Sequence, residues 1–154
     1  MEKKHRLPLD YYTGEVVVAY TICTKGGMNF FVNFEMFSIC ERKLLEELEK
    51  SDCSSLVYLF MPDHCHLLIK GNSIHANSYN CVKMFKQKTG YYFSKNKYNF
   101  KWQKDFYDHI LRRDEEIQKQ VYYILNNPVR NNILSDWKEY EFKGSTEFNF
   151  QEWS

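Results

Sequence analysis

Hydrophobic and polar residues follow two different periods along the chain, and these predict both strands and helices. Residues 16–24 are almost continuously apolar and rich in β-branched side chains, so they predict a strand at the centre of a sheet. Residues 34–50 carry apolar side chains at helical spacing among charged ones and predict the first helix. Residues 73–94 repeat this pattern with lysines on the outer side, and Gly90 predicts an interruption near the end of that second helix.

A β-hairpin is predicted between these helices. Residues 56–61 and 64–70 are apolar runs separated by Pro62-Asp63, a pair that favours a tight turn. After the second helix, residues 96–104 are polar and aromatic and predict a loop, and residues 106–111 predict a fourth strand.

A third helix is predicted from Asp114, which caps it, with Glu115 and Glu116 in the first turn, where the helix dipole favours acids. It should end near residue 126 or 127, because Pro128 disfavours helical geometry in the residue before it.

The order strand, helix, strand, strand, helix, strand predicts an α+β fold with a ferredoxin-like, split βαβ antiparallel sheet. The additional C-terminal helix follows this core. A chain of 154 residues is expected to form one domain. We divide that domain into an N-terminal arm (1–14), a core (15–130) and an acidic C-terminal tail (131–154). The first and third strands lie centrally in this topology, so residues 64–70 are expected in mid-sheet.

Charge is distributed unevenly, although the net charge is only +1. Residues 81–113 contain nine basic and two acidic residues, a local charge of +7. A basic segment in a near-neutral protein predicts a polyanionic partner on one face, and a solvated helix surface is the competing interpretation.

Cysteine usage and hydropathy indicate the cellular compartment of the protein. The five cysteines contain no C-x-x-C pair, which predicts reduced, mostly buried thiols. No signal peptide is visible and no apolar run approaches the length needed to span a membrane. We therefore expect a soluble cytoplasmic protein without a membrane partner.

Two histidines in the hairpin are candidate metal ligands. His64 and His66 point to the same face of a strand, while Cys65 points to the other. Two imidazoles on one rigid face make half of a metal site. Ordinary half-exposed strand histidines are an equally good interpretation of spacing alone, and the site needs a third ligand.

The last predicted helix offers that ligand. At 100° per residue, one side of the helix is apolar and a separate polar stripe contains Glu116, Gln120, Tyr123 and Asn127. Tyr123 and Asn127 are one turn apart, so their side chains can converge on one point. Alternatively, Tyr123 is an aromatic residue at the edge of the core and Asn127 simply ends the helix.

A phosphodiester-cleaving site follows if the stripe faces the histidines. His64, His66 and the Asn127 carboxamide oxygen would hold a divalent cation, and this mixed nitrogen and oxygen set suits Mg²⁺ or Mn²⁺. Tyr123 would be the nucleophile, and a phenol needs a base or an activated electrophile because its ordinary pKa is near 10. Gln120 and His109 are candidate helpers.

Three sequence blocks carry a resemblance to a known family. They are Met61-Pro62-Asp63-His64-Cys65-His66-Leu67-Leu68-Ile69, the run from Trp102 to Arg112, and Tyr123-Ile124-Leu125-Asn126-Asn127-Pro128-Val129-Arg130. The first resembles the HUH motif (histidine, hydrophobic residue, histidine) of single-tyrosine transposases. The three blocks together resemble the branch of REP-associated tyrosine transposases over about residues 6–137.

This resemblance implies a function and a set of site residues. Family members have a ferredoxin-like core, cut single-stranded DNA near hairpins, and rejoin the strands through a 5′-phosphotyrosine intermediate. It implies His64, His66 and Asn127 as metal ligands and Tyr123 as the nucleophile. Cys65 replaces the more usual valine between the histidines, and the acidic tail departs from the common form.

The basic middle of the chain is the predicted DNA-binding surface, because lysines can neutralise phosphates and aromatic rings can stack on unpaired bases. We expect several of the rings to be core residues instead. A non-catalytic, domesticated nucleic-acid-binding protein and a phosphoesterase that uses water are the alternative functions. The protein is expected to be associated with the nucleoid, as a monomer or a homodimer. The predicted DNA-binding residues are Lys83, Lys86, Lys88, Lys95, Lys97, Lys101, Lys104, Arg112, Arg113 and Trp102.

Overall fold

A computed structural model describes residues 7–153 of the chain. Residues 1–6 of the predicted N-terminal arm (1–14) and Ser154 lie outside the described residues. The elements occur in the predicted order, followed by an additional short helix and strand. They are β1 (Val17–Cys23), α1 (Phe34–Lys50), β2 (Cys53–Met61), β3 (His64–Gly71), α2 (Ser78–Lys95), β4 (Tyr107–Leu111), α3 (Asp114–Leu125), α4 (Asn127–Arg130) and β5 (Lys143–Gly144).

The sheet has the strand order β4-β1-β3-β2-β5, with every neighbouring pair antiparallel. This confirms the predicted ferredoxin-like arrangement, in which β1 and β3 are flanked on both sides. The register pairs Thr21 with His66 and Cys23 with His64. The histidines therefore lie on a central strand, at the end that follows the β2–β3 turn.

The two faces of the sheet are covered by different elements. Tyr20, Leu67 and Phe85 belong to the larger core, which α1 and α2 close. Leu68 belongs to the second core with Val121 and with other apolar residues of α3 and the C-terminal segment. Because side chains alternate along a strand, the side of β3 that carries His64 and His66 is the side covered by α3.

Helix starts differ in detail from the prediction. Asn33 and Asn77 cap α1 and α2, because their side-chain oxygens accept hydrogen bonds from the backbone nitrogens of Met36 and Asn80. Asp114 is the first residue of α3 rather than its cap. Instead, the Glu116 carboxylate turns back and accepts from the backbone nitrogen of Arg113 at 3.2 Å.

Two predictions about α2 were wrong. The helix begins at Ser78, five residues later than predicted, and it continues through Gly90 to Lys95 without an interruption. Glycine weakens a helix by only about 1 kcal/mol relative to alanine, so the packing around it decides. Trp102 lies against this part of α2, and its indole nitrogen donates to the Thr89 hydroxyl at 2.8 Å.

The C-terminal segment folds back onto the sheet. Lys143 and Gly144 form β5 on the edge of β2, and the Tyr140 hydroxyl donates to the backbone oxygen of Phe60 at 2.5 Å. The rings of Trp137 and Phe150 pack together in the second core. Sequence patterning did not predict this strand.

All five cysteines are unpaired, and four of them are buried, as their sequence pattern predicted. Among residues 7–153, every helix is too short or too polar to cross a membrane.

Candidate active site

The turn between β2 and β3 is held firmly by the loops beside it. The backbone oxygen of Asp63 accepts from the Thr24 nitrogen at 2.9 Å. The Pro62 oxygen accepts from the backbone nitrogens of Phe30 and Phe31 at 2.8 and 3.0 Å. This network fixes the position of His64, which is the first residue of β3.

The two histidines face one another across one side of β3. Their ring centroids are 4.9 Å apart and the rings are nearly perpendicular, at 86°. His64 and His66 are both partly buried. The same-face arrangement predicted from the sequence is therefore present.

Asp63 orients the His64 ring. Nδ1 of His64 lies 2.7 Å from a carboxylate oxygen of Asp63. A carboxylate can only accept this hydrogen bond, so Nδ1 carries the proton and the lone pair lies on Nε2. Histidines that bind metals commonly have such a carboxylate behind them, because it fixes the tautomer and raises the basicity of the ring.

His66 is fixed from both of its ring nitrogens. Nδ1 lies 3.1 Å from the Thr21 hydroxyl, and Nε2 lies 3.0 Å from the side-chain nitrogen of Asn127. An amide NH₂ group can only donate, so Nε2 of His66 is the acceptor and Nδ1 carries the proton. His66 therefore has the same tautomer as His64, with the Nε2 lone pair on the α3 side.

The surroundings of His66 keep its ring neutral. Burial, together with the charges of His64 and Arg130, lowers the pKa of His66 to about 3. A neutral imidazole is the form that can bind a metal ion, because the ligand is the free lone pair.

Asn127 is the first residue of the short helix α4, two residues after α3 ends at Leu125. Its side chain is only 7% exposed. The Oδ1 atom accepts from the side-chain nitrogen of Asn131 at 2.9 Å, while the Nδ2 atom donates to His66. Both polar atoms of the carboxamide are therefore engaged within one chain.

Tyr123 lies one turn before Asn127 and is 54% exposed. The guanidinium carbon of Arg130 lies 3.7 Å from the centre of the Tyr123 ring. Tyr122, by contrast, packs against Trp153 with the two rings tilted and their centroids 5.4 Å apart. The structure thus separates the two tyrosines: the ring of Tyr122 packs on the tail, and that of Tyr123 lies beside Arg130.

The candidate helpers are not joined to this cluster. His109 is exposed on β4 opposite Ala19, which puts β1 between it and the histidines of β3. Gln120 is partly buried on α3. In the described part of the chain, neither residue forms a hydrogen bond to the histidines, Tyr123 or Asn127.

The donor set fits an oxygen- and nitrogen-binding divalent cation. Residues 7–153 contain no group of three or more His, Cys, Asp or Glu side chains that could hold a metal ion. The candidate set is instead two imidazoles and one carboxamide. Both imidazoles carry the lone pair on Nε2, which in His66 accepts from Asn127, and both are held at Nδ1 by a hydrogen bond, as metal-binding histidines usually are.

Comparison with known proteins decides the family. The family model described as "Transposase IS200 like" matches residues 20–127, which include the hairpin, the histidine pair, Tyr123 and Asn127. The chain belongs to the IS200-like transposase family.

Individual relatives agree with this assignment to the transposases. A Haemophilus influenzae protein assigned as a REP-associated tyrosine transposase is 27% identical, in a match that covers 74% of this chain and 78% of the relative. The structure of a REP-associated tyrosine transposase bound to a REP hairpin superposes with a TM-score of 0.76 at 15% identity. That match covers 93% of this chain and 82% of the other.

A second solved structure, from Deinococcus radiodurans and assigned as a transposase, shows the same fold more distantly. Its TM-score is 0.53 at 19% identity, and the match covers 79% of this chain and 95% of the other. The family assignment and these two structures together confirm the predicted fold of the transposase.

The predicted DNA-binding residues divide into a group held by contacts within the protein and a group with exposed side chains. Lys86 donates to the backbone oxygens of Gln103 and Lys104, and Lys88 pairs with Glu47 at 2.5 Å. The Trp102 indole donates to Thr89 at 2.8 Å, so this ring is held against α2. The remaining predicted DNA-binding residues have exposed side chains: Lys83, Lys95, Lys97, Lys101, Lys104, Arg112 and Arg113.

Two of the exposed lysines border a groove of about 700 Å³ between α2 and residues 98–104. Lys101 and Lys104 lie on one side of the groove, and the exposed ring of Tyr91 lies on the other. Charge and aromatic surface therefore occur together there, as the sequence predicted for this part of the chain.

Four residues that contact the cluster were not assigned a site role from the sequence: Thr21, Asp63, Arg130 and Asn131. Strand register could have indicated Thr21, because it lies opposite His66 on the same face. Asp63 was interpreted only as a turn residue. Helical spacing could have indicated Asn131, which follows Asn127 by one turn.

Proposed function

We propose that this protein is a metal-dependent single-stranded DNA endonuclease and strand transferase that forms a 5′-phosphotyrosine intermediate at hairpin-associated sites. The observation that carries the proposal is the contact between Asn127 and His66 at 3.0 Å. It joins the turn that follows Tyr123 to the histidine pair within one chain, beside a nucleophile that is exposed to solvent.

His64, His66 and Asn127 are the residues that would hold the cation, Mg²⁺ or Mn²⁺. When bound, it polarises the scissile phosphodiester and withdraws negative charge from the phosphate oxygens. Asp63 and Thr21 keep the imidazoles in the required tautomer and orientation.

The chemical step itself is carried by Tyr123. Its phenolic oxygen attacks the phosphorus and forms a P–O bond, and the bond between the phosphorus and the 3′ oxygen of the preceding nucleotide breaks. The phenol proton passes to solvent, and the leaving oxygen takes a proton from water to become a 3′-hydroxyl. Attack of a 3′-hydroxyl on the phosphotyrosine reverses these steps and joins two strands, so the bond energy is kept.

The substrate that we propose is single-stranded DNA next to a hairpin. Support comes from the related transposase whose structure contains a REP hairpin, and from the exposed lysines near the groove on α2. Because one chain supplies both Asn127 and His66, a monomer can form the site, and a homodimer would not need to exchange helices. The corresponding location is the cytoplasm, in association with the nucleoid.

Substitution of the nucleophile tests the proposal. Tyr123→Phe should abolish the covalent protein–DNA adduct on hairpin-bearing single strands, detected as a gel shift that survives denaturation. DNA binding should be kept, because only one oxygen atom is lost. Tyr122→Phe is the matched control, since its ring packs on Trp153 and should leave adduct formation unchanged.

Two outcomes would contradict the proposal. A full yield of adduct from Tyr123→Phe would remove this residue from the nucleophile's role. Chelator-insensitive binding by the wild-type protein, without cleavage of any hairpin substrate in Mg²⁺ or Mn²⁺, would identify a non-catalytic nucleic-acid-binding protein instead.

A further inference from the structure

Arg130 is the last residue of α4, and its guanidinium group lies against the ring of Tyr123. The distance from the guanidinium carbon to the ring centre is 3.7 Å, which is a close stack. Arg130 follows Asn127 by three residues, so the two side chains leave the helix on neighbouring sides. The stack therefore borders the cluster that contains His66 and Asn127.

The stack on Tyr123 does not use the N–H donors of the Arg130 guanidinium. Stacking uses the flat face of the group and leaves the N–H donors around its edge. Arg130 is exposed, and within residues 7–153 no carboxylate lies within ion-pair distance of it. Its charge also reaches His66, where it is one of the causes of the lowered pKa. A cation with free donors thus lies on the phenol ring of Tyr123.

We propose that Arg130 is a phosphate-binding residue of the active site, which holds a non-bridging oxygen of the scissile phosphodiester beside the Tyr123 hydroxyl. This inference rests on the proposed function of Tyr123 as the nucleophile. Arg130 also has a second role, because its stack on Tyr123 holds the phenol ring in place. The ligand is the phosphate group, so the contact does not depend on base sequence.

The stack with Arg130 restrains the Tyr123 ring, which is otherwise exposed to solvent. The hydroxyl of Tyr123 forms no hydrogen bond in the described part of the chain, and its side chain is more than half exposed. A ring in this state can turn away from the phosphate, whereas in-line attack requires a narrow range of positions. Arg130 restricts the ring and attracts the anion to the same place.

Arg130 also suits the covalent intermediate. Once the phosphorus is joined to the Tyr123 oxygen, a phosphodiester anion remains next to the guanidinium. Arginine pairs with phosphate oxygens through two parallel N–H donors, a geometry that lysine cannot reproduce. The residue therefore serves both the forward cleavage and the reverse joining step.

Single-turnover kinetics test the assignment. At saturating DNA, Arg130→Met should slow adduct formation about 100-fold, as the loss of a donor to a developing oxyanion typically does. Arg130→Lys should recover only part of that rate. The dissociation constant for DNA should change by no more than about threefold. Arg42→Met, an exposed arginine substitution on α1, is the matched control and should leave the rate unchanged.

Sulfur substitution at the scissile phosphate separates phosphate binding from simple packing. Each phosphorothioate diastereomer replaces one of the two non-bridging oxygens. The wild-type protein should react more slowly with the diastereomer whose sulfur faces Arg130, and Arg130→Met should lose that particular difference. A residue that only supports the ring would leave the diastereomer preference unaltered.

The inference is overturned if Arg130→Met keeps the wild-type rate, or if its diastereomer preference equals that of the wild type. Thermal unfolding of each variant checks that it is folded, and Arg130→Lys supplies a second variant for the comparison. If adducts persist in Tyr123→Phe, the proposed function itself has failed. If Tyr123→Phe is inactive and both Arg130 variants behave as wild type, only the role of Arg130 has failed.

Discussion

The side-chain nitrogen of Asn127 lies 3.0 Å from Nε2 of His66, and this hydrogen bond uses the lone pair that a metal ion would need. Nε2 of His66 can therefore accept this hydrogen bond or bind a metal ion, but it cannot do both at once. The Asn127 oxygen, which is the atom expected to bind a cation, is turned towards the side-chain nitrogen of Asn131. Rotation of the carboxamide about its last bond exchanges the two atoms. The proposed cation would therefore require the reversed orientation of the Asn127 amide.

Removal of this carboxamide should weaken metal binding. Asn127→Ala is expected to raise the dissociation constant for Mn²⁺ about tenfold or more, because one of three protein ligands is lost. Asn127→Asp should bind Mn²⁺ at least as tightly as the wild type, since carboxylates are good ligands for this ion. Isothermal titration calorimetry without DNA measures both values.

Asn80→Ala is the control for these measurements, because the side chain is exposed on α2, away from the histidines. It should leave the affinity for Mn²⁺ unchanged. Equal affinity of Asn127→Ala and the wild type would show that the carboxamide is not a ligand.

Asp63 is expected to act on the metal through His64. Asp63→Ala removes the carboxylate that accepts the Nδ1 proton at 2.7 Å, so the ring can rotate and change its tautomer. Loss of such a partner typically lowers metal affinity by about 10- to 100-fold. Asp63→Asn should have a smaller effect, since the amide oxygen can still accept the hydrogen bond. Calorimetric titration with Mn²⁺ measures the three affinities, which should decrease from the wild type to Asp63→Asn to Asp63→Ala.

Asp10→Asn, an exposed substitution near the described N-terminus, supplies the control for the loss of one negative charge. If Asp10→Asn lowered the affinity for Mn²⁺ as much as Asp63→Asn does, the effect of Asp63→Asn would be due to general electrostatics. No change in Asp63→Ala would contradict the orienting role.

Local periodicity explains why much of this site could be predicted. The faces of His64 and His66 follow from the two-residue repeat of a strand, and the polar stripe with Tyr123 and Asn127 follows from the helical repeat. The strand order follows from the sequence of elements. Each of these inferences needs only the backbone period or the connectivity, which apply before any long-range contact is known.

Contacts that depend on tertiary packing could not be predicted in the same way. β5 has only two residues, and the edge of β2 rather than its own sequence makes it a strand. Likewise, Trp102 contacts α2 beside Gly90 through a hydrogen bond to Thr89, thirteen residues earlier in the chain. The stack of Arg130 on Tyr123 depends on the exact turn between α3 and α4.

Two lysines with similar predicted roles should behave differently when they are changed to methionine. Lys101→Met removes an exposed cation beside the groove, so it should weaken DNA binding and reduce the slope of log K against log salt by about one. Lys88→Met should mainly lower the midpoint of thermal unfolding. Its ammonium is paired at 2.5 Å with Glu47, a carboxylate that is only 3% exposed.

Salt-dependent fluorescence anisotropy and thermal unfolding, applied to both variants, make the comparison. Lys43→Met on α1 is a control for the loss of one positive charge. Equal salt slopes for Lys88→Met and Lys101→Met would show that the ion pair with Glu47 does not withhold Lys88 from DNA. An unchanged slope for Lys101→Met would remove the groove from the DNA-binding surface.

The folded-back C-terminal segment should stabilise the sheet through Tyr140. Burial raises the pKa of its hydroxyl to about 12, so the group keeps its proton and donates to the Phe60 oxygen at neutral pH. Tyr140→Phe removes only this hydrogen bond and should lower the free energy of unfolding by about 1 kcal/mol. Urea denaturation measures the change, and Tyr11→Phe, with an exposed ring, should show none. Equal unfolding free energies for Tyr140→Phe and the wild type would mean that the segment is held by its apolar contacts alone.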